Sequence, residues 1–161
     1  MLTAENEWPY DLHGVSLWLR CEDESLSETA AGLLRNFTPT RAAKCHSHAW
    51  QASVRSAAEP SQLPRARSSA AQLAFTQPRV GFDGTTWDYA VWREDGRTII
   101  EVSERGLVVV EPTSRRAEAW AVRPRTWAAE EREGLVFLLA SEILRASGFY
   151  PLHAEIGRAH G

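Results

Sequence analysis

Lysine is nearly absent: of the 18 basic residues only Lys44 is Lys, and the other 17 are Arg. That scarcity excludes one large class at once. A P-loop needs Gly-x-x-x-x-Gly-Lys-Ser/Thr, because Lys reaches the terminal phosphates while backbone N–H groups cradle them. Lys44 stands in Arg41-Ala42-Ala43-Lys44-Cys45 with no glycine beside it. Cysteine is scarce too. Two residues make no disulfide framework, which points to a reducing, cytoplasmic setting. Excess charge is missing: 18 basic against 21 acidic residues leave a net charge of −3, which gives no electrostatic case for nucleic acid or an anionic membrane. No long apolar run exists. Leu135 to Ala140 is broken by Ser141-Glu142 before Ile143-Leu144, far short of the roughly 20 apolar residues that span a bilayer. The start, Met1-Leu2-Thr3-Ala4-Glu5-Asn6-Glu7, lacks the order of a signal peptide. The sequence contains no Gly-x-Ser-x-Gly, His-Glu-x-x-His or Gly-x-Gly-x-x-Gly.

What is present suits a globular protein: 161 residues, 43% hydrophobic and 24% charged. A chain of this size makes one domain, or one domain with an attached segment, and buries a core without staples. The arginines are scattered and balanced by acids, which reads as coding bias rather than a phosphate-binding surface.

Periodicity sets the elements. Val15, Leu17 and Leu19 alternate as a strand. Ser25-Leu26-Ser27-Glu28 reads as a capping box, and Leu26, Ala30, Leu33, Leu34 and Phe37 follow at helical spacing. Residues 46–55 alternate again, with Trp50, Ala52 and Val54 on one face. Residues 56–70, rich in Ser, Ala and Pro, read as a flexible loop. Strands follow at 72–76, 86–92, 98–103, 107–111 and 117–122, and the short turns among the last four predict an antiparallel meander. A long helix is expected from about Trp127 to Ser147, with Thr126 as N-cap and Gly148 just past its end. Its stripe of Leu135, Leu138, Leu139 and Ile143 would pack on the sheet. The fold class is therefore α+β: an antiparallel meander, an early strand-helix pair and a long C-terminal helix packed on the sheet.

Chemistry-bearing groups are few. On a strand His46 and His48 would point the same way and hold a metal together, but Cys45 would face away and no second ligand pair has zinc-finger spacing. Seven Trp would pack between sheet and helix or line an aromatic ligand cleft. Glu130 and Glu133 belong to the first turns of a helix, where acids suit the helix dipole, and Asp83 is a turn residue.

One resemblance is specific. A strand, a long apolar helix and Gly148-Phe149-Tyr150-Pro151-Leu152-His153-Ala154 resemble the lead-in to the HPr-kinase-like (serine kinase) catalytic core. In that family a helix is followed by a small residue, an apolar pair and a Leu-His-Ala segment that starts a strand, with a P-loop soon after. The resemblance implies that Tyr10 to Val15 is the first strand and that His153 lies near the nucleotide site of a complete enzyme. It implies the N-terminal part of an ATP-dependent protein or peptide serine kinase, itself without the nucleotide loop and inactive. ATP, Mg²⁺ and a protein, peptide or small-molecule acceptor would belong to the complete enzyme, with neither nucleic acid nor membrane as partner. The sequence departs from the family after Ala154. Ile156-Gly157-Arg158-Ala159-His160 resembles one reading frame of a widely used sequencing adapter, so 155–161 are expected to be an artefactual tail. The expected organisation is a domain over 1–125, the helix and the start of a truncated kinase core over 126–154, and that tail. The alternative is a complete, non-catalytic binding domain with an aromatic ligand or peptide surface. A concave pocket lined by Trp87, Trp92 or Trp120 would favour the alternative, and a bare helix stripe would favour truncation.

Overall fold

The computed structural model describes residues 7–37, 48–80 and 86–149. His46, Asp83 and His153 lie outside the described residues, as does the side chain of Trp87. Among the described residues, eight strands and two helices run in the order β1 (Glu7–Leu12), β2 (Val15–Cys21), α1 (Glu24–Leu34), β3 (Trp50–Ala57), β4 (Gln72–Val80), β5 (Thr86–Glu94), β6 (Arg97–Val102), β7 (Gly106–Glu111), β8 (Arg116–Val122) and α2 (Ala129–Ala146). They form one sheet of order β1-β2-β3-β8-β7-β6-β5-β4. The fold is α+β, and β4 to β8 make the antiparallel meander.

Local chemistry places the turns. Asp95 and Gly96 both take positive φ, 48° and 76°, which matches the twist of the β5–β6 hairpin. A turn that the sequence reading missed does the same between β1 and β2: His13 and Gly14 have φ of 56° and 91°, and Gly14 N–H donates to Asp11 Oδ1 at 2.5 Å. The single strand expected to open at Tyr10 is thus a hairpin, Glu7–Leu12 paired with Val15–Cys21. The cap of α1 also differs from expectation. Asp23, not Ser25, is the N-cap, its carboxylate accepting from Ser25 N at 2.9 Å and Leu26 N at 3.3 Å. At α2 the cap is Ala128, not Thr126, which sits in a short 3-10 turn over Pro124–Thr126. Gly148 does end α2: with φ 90° it donates to Arg145 C=O at 3.1 Å, and Phe149 N–H returns to Leu144 C=O at 2.9 Å.

The middle of the sheet is parallel. β3 runs alongside β2 with α1 in the connection, and alongside β8. The link from β2 to β3 is long enough for such a crossover. One face of the sheet carries Leu17, Leu19, Val54, Ile100, Val108 and Val110, all almost fully buried. On β8 that face is Ala117, Ala119 and Ala121, equally buried. Side chains this small let the α2 backbone come close, and α2 packs on β7, β8 and α1. The apolar stripe of α2 (Leu135, Leu138, Leu139, Ile143) is buried. No helix among the described residues is long and apolar enough to cross a membrane.

Candidate functional site

The face away from the helices is built differently. Its inward-outward alternation puts Trp18, Ser53, Glu118, Trp120, Val109, Glu101 and Trp92 there, most of them half-buried. Chain 58–71, expected as a flexible loop from residue 56, begins only after β3 and crosses this face as a strap. A short 3-10 turn at Pro60–Gln62 starts it. Arg123 fixes this first end by donating from Nε to Ala58 C=O at 2.7 Å.

The far end is held by charge. Arg67 Nε donates to Glu101 Oε1 at 2.8 Å and its guanidinium lies 4.1 Å from the Trp92 ring centroid. Trp92 Nε1 donates to the other Glu101 oxygen at 3.0 Å. Next to them Ser68 donates from both its hydroxyl and its N–H to Glu94. Arg97 donates to Glu94 Oε2 at 2.8 Å and to Ala66 C=O at 3.4 Å. The Ser68 hydroxyl first, then its N–H and the Arg97 charge, hold the Glu94 carboxyl below its ordinary value, against burial that acts the other way.

Between the strap and β6, β7 and β8 lies a groove of about 360 Å³. Pro64, Arg65 and Ala66 form its strap wall, and Arg97, Val109, Glu111, Arg116 and Glu118 come from the sheet. Its two acids are engaged: Glu111 lies 3.6 Å from Arg97, and Glu118 accepts from Trp120 Nε1 at 3.3 Å. Among the described residues, neither Arg65 nor Arg116 pairs with a carboxylate. The groove can therefore take a ligand of small-molecule size and offer it two uncommitted guanidinium forks.

The residues singled out from sequence are elsewhere. His48 precedes β3 in a short turn and is exposed, so it does not share a strand face with Trp50. No three His, Cys, Asp or Glu side chains among the described residues gather as a metal site. Glu130 and Glu133 are exposed on α2. Cys21 is buried on the helix-covered face, and burial first, then Asp23, pushes its thiol up to about 12, so it is an inert core residue. The Trp residues divide. Trp50 and Trp127 are core, their N–H groups donating to Ser147 Oγ at 3.0 Å and Val122 C=O at 2.7 Å. Trp92 and Trp120 lie on the strap face under arginines, Arg67 and Arg55, and do not line the groove. A second depression, about 520 Å³, lies beside Glu22, Asp23, Glu24, Glu28 and Arg125, where Asp23 is occupied in capping α1.

The groove arginines were not found from sequence. Arg65, Arg97 and Arg116 are far apart in the chain, and the only available signal was that the loop joining β3 and β4 is long enough to cross the sheet. No protein-family model, characterised protein or solved structure matches the chain.

Proposed function

We propose that residues 7–149 act as a non-catalytic binding domain whose ligand surface is the strapped face of the sheet. One observation carries this reading: the groove under residues 64–66 holds Arg65 and Arg116, and among the described residues no carboxylate pairs with either. The helix-covered face supports it, since α1 and α2 fill that side and the apolar stripe is not left bare. The ligand site differs from the aromatic cleft expected from composition, because Trp92 and Trp120 are covered by guanidinium groups. The test is an NMR titration of the full chain with three five-carbon probes: glutarate, glutaramide and cadaverine. Saturable shifts at the amides of Ala66, Val109 and Ala117 with any of them support the reading. Shifts confined to other surfaces for all three overturn it.

A second reading is favoured by the segment that directly follows α2. Gly148 to Ala154 resembles the lead-in to an HPr-kinase-like core, and on that reading the chain is the N-terminal part of an ATP-dependent protein or peptide serine kinase, itself without the nucleotide loop and inactive. The genomic DNA beyond the codon for Ala154 decides it. A strand and a Gly-rich Lys-Ser/Thr loop within a few dozen codons support the kinase, and an in-frame stop there removes it.

A further inference from the structure

We infer that the groove is a site for an oxyanion, a carboxylate or phosphate group held by Arg65 and Arg116; this rests on the binding-domain reading above. The strap supplies Arg65 and β8 supplies Arg116, from opposite walls of the same space of about 360 Å³. Both are exposed. A guanidinium fork matches a carboxylate or phosphate in two parallel hydrogen bonds, which an uncharged ligand cannot reproduce. Arg97 is already shared between Glu94 and Glu111 and serves to position the wall. Glu111 and Glu118 face the same groove and set the repulsion that an anion must overcome. The first is offset by Arg97 at 3.6 Å and the second accepts from Trp120. Arg97 is matched by Glu94 outside the lining, so the attraction for an anion rests on the two forks of Arg65 and Arg116 and not on an excess of positive charge. Exposed forks of this kind exist elsewhere on the chain, but here two arginines line one concavity of ligand size. Val109 gives the floor an apolar patch for a short carbon skeleton.

The experiment measures binding of inorganic phosphate and of glutarate to the full 161-residue chain, with chloride at matched ionic strength as reference. Arg65→Gln and Arg116→Gln are the variants. Both side chains are exposed and, among the described residues, pair with no carboxylate, so the fold and its thermal midpoint are expected to be unchanged. Each substitution is expected to weaken glutarate binding by about tenfold, the loss of one charge-assisted contact. A short acidic peptide binding more tightly than glutarate assigns the carboxylate to a peptide, and the reverse order assigns it to a free small molecule. Phosphate and glutarate binding no better than chloride overturns the inference. If glutaramide then still saturates the groove amides, the binding-domain reading survives and only the anion assignment falls. If no probe reaches the groove, both fall.

Discussion

The guanidinium carbon of Arg67 sits over Trp92, 4.1 Å from its ring centroid, while both residues hold the same carboxylate, Glu101. This three-residue contact ties the strap to β5 and β6 at once. It keeps Arg65 and Ala66, immediately before it in the chain, over the groove.

Arg67→Ala removes the stacking and the ion pair together. Both partners are about one-third exposed, so solvent screens the pair and the expected loss of stability is only about 1 kcal/mol. The local effect is larger than the global one. Trp92 emission shifts and limited proteolysis cuts faster within 58–71, and an unchanged cleavage rate would show that the strap is held by something else.

Glu94 gives the strap a pH dependence. Its carboxyl titrates below the ordinary value, so the unfolded chain binds the proton more readily than the folded one. The stabilisation is fully present above the ordinary value of 4.5 and is lost as pH falls through the lower, folded value. Urea midpoints measured across the acidic range fall more steeply for the native chain than for Glu94→Gln. Parallel curves contradict the assignment.

Glu131 closes the first turn of α2 and an ion pair together. It accepts from Ala128 N–H at 2.8 Å and from Arg105 at 2.6 and 3.2 Å, and it is buried. Glu131→Ala is expected to cost about 1–3 kcal/mol. Glu131→Gln keeps an acceptor for the cap and costs less, so urea denaturation that ranks the two variants in the opposite order rejects this role.

Gly106 is required for space, since its φ is ordinary. A methyl group there meets the Trp127 ring at 3.1 Å, Trp120 C=O at 3.2 Å and Val102 Cβ at 3.4 Å. The carbonyl belongs to the β8 backbone and cannot yield, so the indole must. Gly106→Ala is expected to lose about 1–3 kcal/mol with a change in Trp127 fluorescence. An unaltered spectrum and midpoint would mean that the contact relaxes freely.

How much of this was legible in the sequence follows from distance along the chain. The Asp95-Gly96 turn, the short β-links and the Gly148 end of α2 are local signals, and the structure has them where the sequence placed them. The His13-Gly14 hairpin was missed because His is not one of the Asn, Asp or Gly residues that usually mark the first left-handed position of a two-residue turn, although Trp8, Tyr10 and Leu12 alternate before it. The parallel pairing of β3 with β8 joins residues with four strands between them, and no local pattern encodes it. The groove depends on that pairing, because the strap leaves the end of β3 and so starts beside β8, where Arg116 stands opposite Glu111 of β7. Seen as sequence, three scattered arginines carry no such information.

Amide hydrogen exchange on the full chain tests the central claim most directly, using whichever of glutarate, glutaramide and cadaverine binds most tightly. A ligand seated between strap and sheet slows exchange at Ala66, Arg67 and Ser68 and leaves α1 and β1 unchanged. Exchange along the strap that stays the same at saturation, or protection that appears only on other elements, contradicts a binding groove there.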